Sequence, residues 1–148
     1  MADSKTILLL NGPNLNLLGK RNPDVYGSQT LEQIEDMVCA HAAEKNWACI
    51  CRQSNHEGEL IDIIHEADNT CAGIVYNPGA HAHYSYAIRD AIEAISIPVV
   101  EVHISDIHAR EDFRATSVVE DVCVASICGK GTQGYIEAFD ALLRNVRA

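Results

Sequence analysis

The chain alternates short apolar runs with amphipathic segments of helical length, and this alternation restricts its fold more than any other feature. Thr6–Leu10 reads as an apolar strand. Thr30-Leu31-Glu32-Gln33 reads as a capping box that opens a helix, with Leu31, Ile34, Val38 and Ala42 on one face. Trp47–Arg52 alternates as a second strand. Ser54-Asn55-His56-Glu57 reads as a second capping box, followed by Leu60, Ile61, Ile64 and Ala67. Ala72–Tyr76 is a short apolar strand that ends at Asn77-Pro78-Gly79. A third helix carries Ala87, Ile88, Ala91, Ile92 and Ile95. Pro98–Val102 is a fourth strand, with its proline at the first position, where it is tolerated. Val122–Cys128 is a fifth. Gly129-Lys130-Gly131 breaks the chain before a last helix from about Gln133, which carries Ile136, Phe139, Leu142, Leu143 and Val146. Strands separated by helices imply a parallel sheet covered on both faces. The expected fold is α/β, a flavodoxin-like three-layer sandwich with a five-stranded parallel sheet of order 2-1-3-4-5. With no repeats or linkers, residues 1–148 are expected to form a single catalytic domain.

In such a sheet, ligands bind beyond the C-terminal ends of the strands that flank the change in strand order. Here that places the loops Asn11–Gln29 and Asn77–His83 together, with Glu101-Val102-His103-Ile104-Ser105 next to them. The first loop is longer than the usual connection of about 2–6 residues, and its Leu15, Leu17, Leu18 and Val25 can anchor it to a core.

The net charge of −10 disfavours nucleic acid as a partner but leaves room for a small anion. No apolar run approaches the roughly 18–20 residues that span a bilayer, so no membrane association is expected. Met1-Ala2-Asp3-Ser4-Lys5 has no basic n-region or apolar h-region, and a cytoplasmic location is the expectation. Six cysteines include no Cys-x-x-Cys pair. Cys49 and Cys51 share one face of a strand, and the set reads as small buried hydrophobes.

Several loop residues have the chemistry of a reactive site. Tyrosine, with a pKa of about 10, is a poor base at neutral pH, and nearby positive charge favours its ionised form. Tyr26 has Arg21 five residues before it, and Arg110 can approach from the loop after the fourth strand. Taken alone, a tyrosine before a turn glycine reads first as an anchor for its loop. Glu101 and His103 leave one face of a strand, which suits an imidazolium proton donor or a plain ion pair. Asn14 and Asn77 can shape turns or aim donors at a ligand oxygen. Ile104 and Ser105 offer backbone N–H groups beyond a strand end, suited to a carboxylate. His81-Ala82-His83 raises a metal question, with no acidic or cysteine ligand nearby in sequence. Arg110 and Arg114 would share a face on a short helix, or belong to a solvated charged patch with Glu111 and Asp112.

Taken together, these residues resemble the type II 3-dehydroquinate dehydratases over nearly the whole chain. The resemblance is carried by Asn11-Gly12-Pro13-Asn14-Leu15, Leu18-Gly19, Tyr26-Gly27, Gln53-Ser54-Asn55, Asn77-Pro78-Gly79, Arg89-Asp90, Glu101-Val102-His103-Ile104-Ser105, His108-Ala109-Arg110-Glu111, Phe113-Arg114 and Gly131-x-x-Gly134-Tyr135. It implies a lyase that converts 3-dehydroquinate to 3-dehydroshikimate through an enolate, in the shikimate or quinate route. Tyr26 would be the base, kept ionised by Arg21 and Arg110, and Asn14 would help to stabilise the enolate. His103 would be the acid, held charged by Glu101 and assisted by Asn77. Ile104 and Ser105 would grip the carboxylate, while His83 and Arg114 would bind the ring hydroxyls. Asp90 would reach a neighbouring subunit's site within a dodecamer built from trimers. The resemblance implies no metal and no cofactor, and the sequence has neither a Gly-x-Gly-x-x-Gly after its first strand nor a P-loop. The match loosens over His81-Ala82-His83-Tyr84-Ser85-Tyr86, where hydroxyl-bearing neighbours of His83 have changed. Altered substrate affinity is expected there, with His81 a rival for the role. Other chemistries to be weighed are a flavin-binding or receiver module, a metal hydrolase using His81, His83 and His103, and a Schiff-base dehydratase using Lys5, Lys20, Lys45 or Lys130.

Overall fold

All strand pairings in the sheet are parallel, and the strands, counted along the chain, lie in the expected order 2-1-3-4-5. The computed structural model describes residues 5–146, so the N-terminal reading of Met1–Lys5 lies mostly outside the described residues. The strands are β1 (Thr6–Asn11), β2 (Ala48–Gln53), β3 (Gly73–Asn77), β4 (Val99–His103) and β5 (Ala125–Cys128). The helices are α1 (Pro23–Tyr26), α2 (Leu31–Glu44), α3 (Glu57–Thr70), α4 (Tyr86–Ala94) and α5 (Gln133–Leu143). Among the described residues, no helix is long and apolar enough to cross a membrane.

The central strands β1, β3 and β4 are buried almost throughout, which is why their sequences run apolar without alternation. Helices α2 and α5 cover one face, where Ile34, Val38, Phe139 and Leu142 pack on Ile7, Leu9, Val75 and Val100. On the other face, α3 and α4 bring Leu60, Ile64, Ile88 and Ile92 against Leu8, Leu10, Ile74 and Tyr76. β2 lies at the edge and alternates exposed and half-buried residues, because only one of its faces meets a helix. Gly73 lets α5 approach closely, since a Cβ there would lie 2.8 Å from the Leu142 side chain.

The first expected capping box is present. Gln33 N–H donates to Thr30 Oγ1 at 3.2 Å, and Thr30 N–H donates to Gln33 Oε1 at 3.0 Å. The second is not. Ser54 Oγ instead accepts from the His56 N–H two residues on, so His56 becomes the N-cap, and the Glu57 carboxylate takes the hydroxyl of Ser85. The fourth strand runs one residue further than expected, to His103, and the fifth starts later, at Ala125, because Glu120–Val122 forms a 3₁₀ turn. Ala87, expected on the buried face of α4, is exposed.

The cysteine expectation holds fully for Cys71 alone. Cys39, Cys49, Cys51, Cys123 and Cys128 are only half-buried. Those in β2 cannot be enclosed because that strand is the sheet edge.

Candidate active site

The long first loop is ordered around two small elements. A 3₁₀ turn at Leu15–Leu17 leaves Leu15 and Leu18 buried, and Pro23 at the first position of α1 starts the turn that ends at Tyr26. The loop is tied to the end of β3 by the Gly12 N–H, which donates to the Asn77 carbonyl at 2.8 Å. A Cβ on Gly12 would lie 2.6 Å from the Pro78 carbonyl oxygen, so only glycine permits this approach. The left-handed backbone of Asn14 (φ 69°) turns its N–H to Asn55 Oδ1 at 2.9 Å.

Two guanidinium groups meet at one phenol oxygen. Arg21 Nη2 and Arg110 Nη1 each donate to Tyr26 Oη at 2.8 Å, and the Arg21 guanidinium also lies 3.9 Å from the ring centroid. Tyr26 is buried against the core on its other side. Arg110 reaches it from an extended residue between two 3₁₀ turns, Ile107–Ala109 and Asp112–Arg114. Arg110 and Arg114 therefore do not share one helix, as their spacing suggested. Both nonetheless line the same cavity.

His103, at the end of β4, bonds through Nε2 to Glu101 Oε2 at 2.6 Å, and both residues are buried. The Glu101 carboxylate also accepts the hydroxyls of Ser117 (2.7 Å) and Ser126 (3.2 Å). A fully buried carboxylate needs such a donor set. The His83 ring stacks near His103, with centroids 6.3 Å apart and planes 20° apart. His83 Nδ1 lies 2.9 Å from the Thr116 carbonyl, so that nitrogen carries the proton. Burial holds the His83 pKa below its ordinary value. The Thr116 carbonyl opposes this, while His103 and Arg114 add to it. The neutral ring thus keeps Nε2 as an acceptor. Arg114 pairs with Glu111 at 3.2 Å, an exposed carboxylate whose pKa is lowered by its own backbone N–H and by Arg114.

Tyr26, His103, Arg21, Asn14, Asn77, His83, Ile104, Ser105, Arg110 and Arg114 all line one cavity of about 110 Å³ at the crevice between β1, β3 and β4. Glu101 lies beneath it. Asp90 is exposed on α4 and does not line it. Nor does His81, which packs edge-on against Tyr84 with centroids 5.7 Å apart, so the position belongs to His83. The three histidines do not form a ligand cluster among the described residues. No lysine lines the cavity, which leaves a Schiff-base route without its amine.

Asn77 lines the cavity and is braced from behind. Its Nδ2 donates to Tyr135 Oη at 2.9 Å, its Oδ1 accepts from Gly79 N–H at 3.0 Å, and Tyr135 Oη donates to Asn11 Oδ1 at 2.6 Å. Both ends of the amide are therefore held within the protein. Tyr135, Ser117 and Ser126 were not anticipated as supports of the site. The Gly131-x-x-Gly134-Tyr135 motif was the one available signal, and it gave no partner.

The model of the family described as "Dehydroquinase class II" matches residues 5–143. The chain belongs to the class II dehydroquinase family. It is 54% identical to a 3-dehydroquinate dehydratase of Halalkalibacterium halodurans, over 94% of this chain and 96% of that protein. It is 52% identical to 3-dehydroquinate dehydratase 1 of Agrobacterium fabrum, over 98% and 99%. The type II dehydroquinase structure from Butyrivibrio crossotus superposes with a TM-score of 0.92 at 50% identity, covering 94% of this chain and 97% of that one. The family and fold expected from the sequence are thus both found.

Proposed function

We propose that this dehydroquinase is a single-domain lyase that removes water from 3-dehydroquinate to give 3-dehydroshikimate by anti elimination through an enolate. The observation that carries the reading is the convergence of Arg21 and Arg110 on the Tyr26 hydroxyl, in a cavity that also holds His103. Tyr26, as the phenolate, takes the proton from the carbon next to the substrate ketone. The electron pair moves onto the carbonyl oxygen, where Asn14 stabilises the enolate. The enolate then collapses, the carbon–oxygen bond to the departing hydroxyl breaks, and His103 supplies the proton that lets it leave as water. Glu101 keeps His103 oriented and charge-matched. Return of the Tyr26 proton to solvent and reprotonation of His103 complete the cycle.

Ile104 and Ser105 hold the carboxylate. Their carbonyls accept from the Gly131 and Gly129 N–H groups at 3.1 Å each, and the first of these bonds fixes the peptide that carries the Ser105 N–H. His83 and Arg114 take the ring hydroxyls. Asn77 lines the cavity beside His103, where it assists the acid, and its Oδ1 also holds the Gly79 peptide at the rim. The reaction uses no metal and no cofactor. Asp90, exposed on α4, is available to a neighbouring subunit in a homo-oligomer, a dodecamer built from trimers, working in the cytoplasm on the shikimate route.

The conjugated enone product absorbs in the ultraviolet, so turnover can be followed directly. Tyr26→Phe is expected to lower kcat by about 10²–10⁴-fold, the usual range for a general base, with folding retained. Turnover within a few-fold of the parent in that variant would remove Tyr26 as the base.

A further inference from the structure

Away from the cavity, one side-chain cluster is used by neither the fold's polar network nor the proposed chemistry. Cys39 projects from α2, and Cys49 and Cys51 stand two residues apart on the same face of edge strand β2. All three sulfurs lie within 4.8 Å of one another, with Cys39 Sγ and Cys51 Sγ 3.6 Å apart. Cys39 Sγ also lies 3.7 Å from the Cys49 carbonyl. Among the described residues, this is the one group of three or more His, Cys, Asp or Glu side chains whose ligand atoms converge in this way.

We propose that Cys39, Cys49 and Cys51 form a binding site for one soft, thiophilic d¹⁰ cation of the zinc(II) kind. The spacing fits that chemistry. Two thiolates at about 2.3 Å from a common ion in tetrahedral geometry stand about 3.8 Å apart. The Cys39 and Cys51 sulfurs are already near that separation, the Cys49 sulfur is within 4.8 Å of both, and the three come from two packed elements, so little rearrangement is needed. β2 supplies two ligands on one face through its period of two, and α2 supplies the third across the helix–strand contact. None of the three is fully buried, so an ion can reach them from solvent.

Glu35, one helical turn before Cys39, bears electrostatically on both Cys39 and Cys51. It adds negative charge near those two sulfurs, which favours a cation, and a solvent ligand can complete the fourth position. Without a cation Cys39 and Cys51 are thiols: burial holds the Cys39 pKa up, to about 11, and the Cys51 pKa is raised chiefly by its hydrogen bond with Cys49 and then by burial. Binding must therefore displace the thiol protons, one from each sulfur as each sulfur–metal bond forms, and weakens as pH falls.

The test titrates the reduced full chain, kept in a phosphine reductant, with cadmium(II), whose bonds to thiolate absorb in the ultraviolet. The expected result is a thiolate band that saturates at one cadmium per chain. Three of the six thiols should then resist a thiol-modifying reagent, and added zinc(II) should abolish the band. Cys39→Ser and Cys51→Ser, each checked for native circular dichroism, should weaken binding by more than about 100-fold, since even outer partners of a metal site cost about 10–100-fold. Cys128→Ala should bind as the parent does. The proposal is overturned if no saturable band forms, if the band survives in both serine variants, or if all six thiols stay reactive with cadmium present.

Discussion

Replacing Tyr135 by phenylalanine tests whether the cavity is held from beneath. The substitution keeps the ring, which is fully buried among Ala138, Phe139 and the α2 face, and removes one oxygen. That oxygen donates to Asn11 Oδ1 at 2.6 Å and accepts from Asn77 Nδ2 at 2.9 Å. Both amides are buried, and Asn11 Nδ2 already has no partner. Removal strips two buried polar groups of their bond, each at about 1–3 kcal/mol, partly offset by relaxation, so about 2–4 kcal/mol of stability is expected to be lost. Burial raises the Tyr135 pKa, so the hydroxyl keeps its proton throughout the working range and the loss should not vary between pH 6 and 9. Urea unfolding of parent and variant measures the stability term. Enone formation measures the second consequence: kcat about tenfold lower, because an unanchored Asn77 no longer fixes the Gly79 peptide at the rim. A variant with parental urea stability and kcat within twofold would refute the support role of this hydroxyl.

Two further outcomes follow from other parts of the molecule. Burial lowers the pKa of both His81 and His83 below the ordinary value of 6.5, so the unfolded chain binds these protons more readily than the folded one. Stability present above that value should be lost as pH falls through it, and a Tm series from pH 8 to pH 5 should show a decline that is shallower in His81→Phe. Gly12→Ala should destabilise the chain by about 1–3 kcal/mol and depress kcat, since its Cβ would meet the Pro78 carbonyl at 2.6 Å and push the Tyr26 loop from β3. Parental Tm and rate in that variant would show that the two loops yield without cost.

The fold was legible because its cause is local. Uninterrupted apolar runs, helical periodicity and turn residues appear within single segments, and the parallel order follows from their alternation. The loops that form the cavity were legible for the same reason, since strand order decides which loops meet. Tyr26 with Arg21 could be read within one loop. Its second donor could only be named as a candidate, because the path from the end of β4 to Arg110 runs through 3₁₀ turns that periodicity does not foretell. The Asn11–Tyr135–Asn77 bonds were not legible. They join positions up to 124 apart in the chain, and a tyrosine on an apolar helix face reads as packing alone. The second capping box failed because Glu57 had a stronger tertiary partner, Ser85, than its own helix end. The cysteines were misjudged because burial depends on whether a strand lies inside the sheet or at its margin.

The bond between the first strand and the last helix has a consequence for how the molecule comes into being. Asn11 leaves the ribosome 124 residues before Tyr135, so the amide that steadies the rim lacks its anchor until α5 has been made. A nascent chain paused after Cys128 has all five strands and every cavity residue, yet the hydroxyl that braces Asn77 has not been made. Full catalytic competence should therefore arrive with the docking of α5 rather than grow in step with the sheet.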